Sequence, residues 1–253
     1  MIPNSQAYAR LRAQSQEFLD FVVLSSTAIP TLIHRLQATG VQGLTPDHFK
    51  GSPNLAQLQA FAKNYQGPLA RSTVLTLWSL FEAYVKGLLV EIIDFHGGEE
   101  KFQTNAERRA RIFVAKSSPT IIASKRKLQE PAKGAKKGSY QKHSRKLVDL
   151  GYRFPSELLA PYGAKILIQR AKPRGSKAYQ IPELLRDALC FPLSDANMAR
   201  IETIRATRND LAHGTQVPLT LKEALIIGKD LRDIAAKVDH HATEHFFVLE
   251  AFA

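Results

Sequence analysis

Between Pro68 and Gly97 the chain places apolar residues every three or four positions: Val74, Leu77, Trp78, Phe81, Val85, Leu88 and Ile92. That spacing draws one stripe along a helix and fits no strand, whose faces alternate at every second residue. A helix with so broad an apolar face has to be covered, so the segment predicts the central helix of a mainly α bundle. Gly97-Gly98 is its expected stop. Glu82 sits at helical spacing from Trp78 and Val85, at the edge of the buried face. A carboxylate there calls for a basic partner, and Arg205 or Arg208 is the one expected, either as a structural pair or as part of an active constellation that orients Arg208 or His213.

Other stretches read as helices that could cover this one. Tyr8, Leu11, Phe18 and Val22 recur near helical spacing over residues 4–26, and Pro30 is expected to interrupt or kink that helix before residues 31–36 carry on. Thr45-Pro46 and Ser52-Pro53 look like helix starts, and the second leads into Leu55, Leu58, Phe61 and Tyr65, ended by Gly67. Pro182 to Leu189 is helical by pattern. Thr220-Leu221-Lys222-Glu223 is a capping box opening a last helix through Val238, with Leu221, Leu225, Gly228, Leu231 and Val238 on one side. The tail from His240 to Ala253 suits a strand or a docking helix.

The chemistry-bearing stretch runs from Ser194 to Gly214. Ser194 or Asp195 can cap it, and Ile201, Ile204, Arg208 and Leu211 share one face, which puts a guanidinium on an apolar stripe where it needs a partner or a ligand. His213 follows at the helix end, with Gly214 as the stop. An arginine and a histidine so placed can hold a phosphate and exchange a proton. Asn209 supports substrate or His213 from the same face, and Asp210 either faces solvent or orients its neighbours. The plain alternative is a pair of basic groups satisfying the last carbonyls of the helix.

Charge is unevenly spread. The formal net charge is +12, yet residues 101–180 alone hold 20 Lys and Arg against 4 Asp and Glu, leaving 15 basic and 19 acidic residues elsewhere. The expected organisation is therefore residues 1–98 as N-terminal helices with the long helix, 99–180 as a basic insertion, and 181–253 as the motif helix, final helix and tail, with a two-domain arrangement equally open. Helices are expected over 105–113 and 139–150, and residues 165–169 fit a short strand or a buried helix turn. Such a block is the electrostatic footprint of a polyanion, read here as RNA held by Lys125, Arg126, Lys127, Lys133, Lys136, Lys137, Lys142, Arg145 and Lys146; a solvated lysine-rich loop is the alternative.

Arg208-Asn209-Asp210-Leu211-Ala212-His213-Gly214 resembles the signature of HEPN domains, in which an arginine followed by a small polar residue precedes a histidine at the end of a bundle helix. Leu77-Trp78-Ser79-Leu80-Phe81-Glu82-Ala83-Tyr84-Val85 is similar to the long apolar helix with a Phe-Glu pair that such domains set against it. The resemblance covers residues 68–96 and 181–239. It implies a HEPN-like helical bundle, elaborated by the basic insertion and with room for a little β structure, acting as a metal-independent endoribonuclease. His213 would activate the ribose 2′-hydroxyl and Arg208 would stabilise the charge on phosphate, with Asn209 and Glu82 in support. The resemblance further implies a homodimer with both motifs at one cleft, a role as a toxin or phage-defence effector, and an antitoxin or defence-system partner. A degenerate member that grips nucleic acid without cutting it is the alternative.

Other classes find little support. The single cysteine, Cys190, excludes an internal disulfide and reads as core within Ala188-Leu189-Cys190-Phe191. His240, His241 and His245 cluster, but no second cysteine or His-Glu pair completes a zinc set, and no metal or other cofactor is expected. No glycine-rich phosphate loop or Gly-x-Ser-x-Gly turn occurs. No uninterrupted apolar run is long enough to span a bilayer and the start is no secretion signal, so no membrane partner and a cytoplasmic location are expected.

Overall fold

The computed structural model describes residues 4–39, 55–104, 118–129, 142–143, 145–147, 149–150, 169 and 180–247. It is mainly α, with no strand among the described residues. The helices are α1 (Gln6–Thr39), α2 (Leu55–Lys63), α3 (Gln66–Phe95), α4 (Pro119–Gln129), α5 (Ile181–Glu183, passing into a π-helical turn Leu184–Ala188), α6 (Asp195–Ala212) and α7 (Leu221–His245). The chain divides into two compact units, Met1–Glu91 with Ser176–Ala253, and Ile92–Gly175.

In the first unit α3 is the core helix. Val74, Trp78, Phe81, Val85, Leu88 and Leu89 are fully buried, and a ladder of rings runs from Trp78 to Phe81 (6.0 Å), Tyr84 (6.2 Å) and Tyr8 of α1 (6.0 Å). By length and composition alone α3 could cross a membrane, with a mean hydropathy of 1.3, but half of that window is buried inside the fold. Gly97 and Gly98 stop it: both take positive φ (89° and 95°), and their N–H groups donate to Asp94 and Ile93 in a paired C-terminal cap.

Helix α1 continues through Pro30, so of the interruption or kink expected there the interruption does not occur. Proline removes the N–H that would reach the Ser26 carbonyl, and Tyr65, just past α2, donates its hydroxyl to that oxygen at 3.3 Å. A short helix thus repairs the defect in a long one. Ala62 is the buried residue of α2, while Phe61, expected inward, is 73 % exposed.

The start of α1 is held by two carboxylates from other helices. Glu91 of α3 accepts from the Gln6 and Ala7 N–H groups at 2.8 and 2.9 Å, and Asp239 of α7 accepts from the Ser5 N–H at 3.1 Å and from the Ser5 hydroxyl. Negative charge there satisfies orphan donors and complements the helix dipole. Asp239 is 1 % exposed, and burial raises its pKa above the ordinary 3.8 despite the Ser5 bonds, which pull the other way. A carboxyl with a raised folded-state pKa favours the fold while protonated, and that contribution disappears as pH rises through the raised value. The stability difference between the native chain and Asp239→Asn should therefore shift against the native chain as pH climbs from about 4 toward neutrality, read from urea midpoints across that range.

Helix α7 begins at the expected capping box, with Thr220 and Glu223 exchanging side-chain-to-backbone bonds. The bonds to Thr220 lower the Glu223 pKa. Its inner face is Ala224, Ile227, Gly228, Leu231, Ile234, Ala235, Val238 and Ala242, and it continues through residues 240–245 as helix rather than strand. Leu225, assigned by pattern to that face, is instead 39 % exposed. At Gly228 an added Cβ would collide with the Leu77 side chain, so α3 and α7 approach closely there. Gly228→Ala should lose about 1 kcal/mol net in urea unfolding, overpacking of ~1–3 kcal/mol being partly offset by roughly 1 kcal/mol of helix propensity.

Candidate active site

Helix α6 starts where Ser194 caps the Asn197 N–H (3.3 Å) and buries Ile201, Ile204 and Leu211. Arg208 shares that stripe and is half-buried; its Nε is fully buried and finds no acceptor among the described residues, and Nη1 donates to the Asn209 Oδ1 at 3.2 Å. An unpaired buried N–H costs about 1–3 kcal/mol, so this guanidinium is held at some expense.

The helix ends in the same kind of paired cap as α3. Gly214, at φ 78°, donates to the Leu211 carbonyl (3.2 Å), and Thr215 donates to that of Asp210 (2.9 Å). The left-handed turn places His213 at the C-terminal cap, where its backbone N–H bonds to Asn209 O and its side chain stands exposed. Asp210 is also exposed.

Glu82 does not pair with either expected arginine. It accepts from Lys86, one turn on, at 2.8 Å, and Arg205 is taken by Glu202 at 2.7 Å. Both are local helix pairs, whose formation orders less chain than a contact between helices. The signal for the first was in the sequence, a glutamate four residues before a lysine. Arg208 is thereby left without a carboxylate partner among the described residues, and Glu82 is committed to an ion pair of its own.

Of the residues read as an RNA footprint, Arg126 and Lys127 are exposed on α4, whose span also includes Lys125; Lys142, Arg145 and Lys146 are exposed at helical positions. Lys133, Lys136 and Lys137 lie outside the described residues, as do the helix expected at 105–113 and all but Gln169 of the 165–169 run. This basic set belongs to the second unit, whereas Arg208, Asn209, His213 and Glu82 belong to the first.

Cys190 lies outside the core expected for it, while the contacts of His241 agree with a structural role. Cys190 is exposed with φ 50°, not core, because the π-helical turn before it buries Leu189 and Phe191 and turns the residue between them outward. His241 lies 2.9 Å by Nε2 from the Leu189 carbonyl and packs edge-on against Phe191, so one ring nitrogen already serves the fold. The chain matches no family model, no curated protein and no solved structure.

Proposed function

We propose that this chain is a HEPN-type endoribonuclease that cleaves RNA without a metal, works as a homodimer in the cytoplasm, and serves as a toxin or phage-defence effector. One observation carries the reading: an arginine pinned on the apolar stripe of α6, unneutralised by any described carboxylate and with a buried N–H to spare, five residues before an exposed histidine on the same helix end. In this reading His213 takes the proton from a ribose 2′-hydroxyl, whose oxygen attacks the neighbouring phosphorus. Arg208 binds the non-bridging oxygens as negative charge grows on them. The phosphorus bond to the 5′-oxygen breaks, and that oxygen leaves with a proton from the imidazole of a second copy. The ends are a 2′,3′-cyclic phosphate and a 5′-hydroxyl. Asn209 steadies the guanidinium through its Oδ1.

Cutting of RNA should persist in excess EDTA and leave cyclic phosphate ends, detected by end-labelling before and after acid opening of the ring. Loss of cutting in chelator, or 3′-hydroxyl ends, would contradict the reading. A second reading, a non-catalytic nucleic-acid-binding module, draws on the exposed cations Arg126, Lys142, Arg145 and Lys146. It predicts salt-dependent RNA binding with no new termini, abolished by charge reversal at those positions.

A further inference from the structure

The outer face of α7 carries a stripe that neither the core nor the α6 site uses. Lys222, the adjacent pair Leu225 and Ile226, Lys229 and Arg232 recur at helical spacing on one face and, with Gln66 at the start of α3, line an open groove of about 610 Å³. Leu225 and Ile226 are 39 % and 45 % exposed, so the floor is aliphatic surface left in water. The charged residues of its lining are all cations, Lys222, Lys229 and Arg232, beside the neutral Gln66 and Thr220. Of the nearby α7 carboxylates, Glu223 is engaged in the capping box and Asp230 on Arg200 at 2.6 Å, while Asp233 is exposed one turn beyond Lys229; the cations of the lining outnumber it three to one. From Lys222 to Arg232 the stripe is about 15 Å long at the helical rise, the length of a partner helix of roughly three turns.

The chemistry of the groove selects among occupants. A small molecule would want walls on most sides, and this groove is open. Stacked nucleic-acid bases would want rings, and the apolar lining is the aliphatic Leu221, Leu225 and Ile226. A second copy docked on the same face would set the cations of one copy against those of the other. What complements an aliphatic floor between cations is a helix with aliphatic anchors flanked by carboxylates. We infer that the Lys222–Arg232 face of α7 is a docking surface for an acidic amphipathic helix of a protein partner. It stands independently of whether Arg208 and His213 cut RNA.

The test titrates the intact chain into a labelled helical peptide with leucines at i, i+3, i+4 and i+7 flanked by glutamates, and follows anisotropy. A peptide of the same composition with that spacing scrambled, a single-stranded RNA and phosphatidylserine vesicles are the comparisons. The patterned peptide should bind at least about tenfold tighter than the scrambled one and weaken at least about tenfold with Lys222→Glu/Lys229→Glu, and again with Ile226→Asp. All substituted residues are exposed, and unchanged circular dichroism confirms that the variants fold. Equal binding of both peptides, indifference to either variant, or a preference of the stripe for RNA or vesicles would overturn the inference.

Discussion

RNA cleavage by His213→Ala should fall by about 10²–10⁴-fold, while its urea midpoint stays where the native chain has it. The separation follows from how α6 ends. His213 caps the helix with its backbone, and the left-handed turn that completes the cap belongs to Gly214, so removing the imidazole touches neither. An exposed substitution of this kind moves stability by no more than about 0.5 kcal/mol. Arg208 differs, because its stem lies on the buried stripe. Arg208→Met keeps most of that stem and removes the charge, which isolates the loss of anion stabilisation, about 10²–10³-fold for one such donor, from lost packing. The double variant should be scarcely slower than His213→Ala, since groups that act as a unit do not add. Native-rate cutting in His213→Ala would remove the base from the scheme.

Features of this fold that were legible in the sequence are those decided within a few residues. Ser194 reaches the Asn197 N–H, Thr220 and Glu223 satisfy each other, and the glycines at 97, 98 and 214 turn the chain where no side chain could do so cheaply. The buried stripe of α3 was legible for the same reason, periodicity being a property of the helix itself. Decisions taken across the fold were not. Pro30 could interrupt or kink α1 by sequence alone; the helix continues, and the Ser26 carbonyl that loses its helical donor is served by Tyr65, 39 residues away. Leu225 belongs to the apolar count of α7 yet lies outside its buried arc, where Ile227 takes the inward place. Glu82 has a local lysine that competes with any distant arginine, and spacing alone cannot rank them. In the candidate site, the stripe position of Arg208 was readable, but its unpaired Nε depends on which carboxylates other basic residues have already taken.

Trp78→Ala should cost the first unit about 3 kcal/mol, toward the lower end of the ~3–5 kcal/mol usual for emptying a buried aromatic site. Trp78 is fully buried on α3, one ring away from Phe81 at 6.0 Å, and the aromatic ladder to Tyr84 and Tyr8 ties α3 to α1. Deleting its indole opens a cavity that these neighbours, among them Tyr84 held by its hydroxyl to the Ala235 carbonyl of α7 at 3.2 Å, can fill only in part. One term works against the loss. The indole N–H is buried without an acceptor among the described residues, and an orphan donor costs about 1–3 kcal/mol in the folded state, which alanine relieves. Trp78→Phe separates the two terms: it keeps a ring in the ladder, removes the orphan N–H, and should cost less than about 1.5 kcal/mol or even stabilise. Because Trp78 is the chain's sole tryptophan, both variants are followed by far-ultraviolet circular dichroism in urea rather than by fluorescence. Equal losses for alanine and phenylalanine would mean that the N–H, and not the ring, sets the energy of this position. A loss near 5 kcal/mol for alanine would mean that the N–H carries no penalty, and that the cavity left by the indole stays empty.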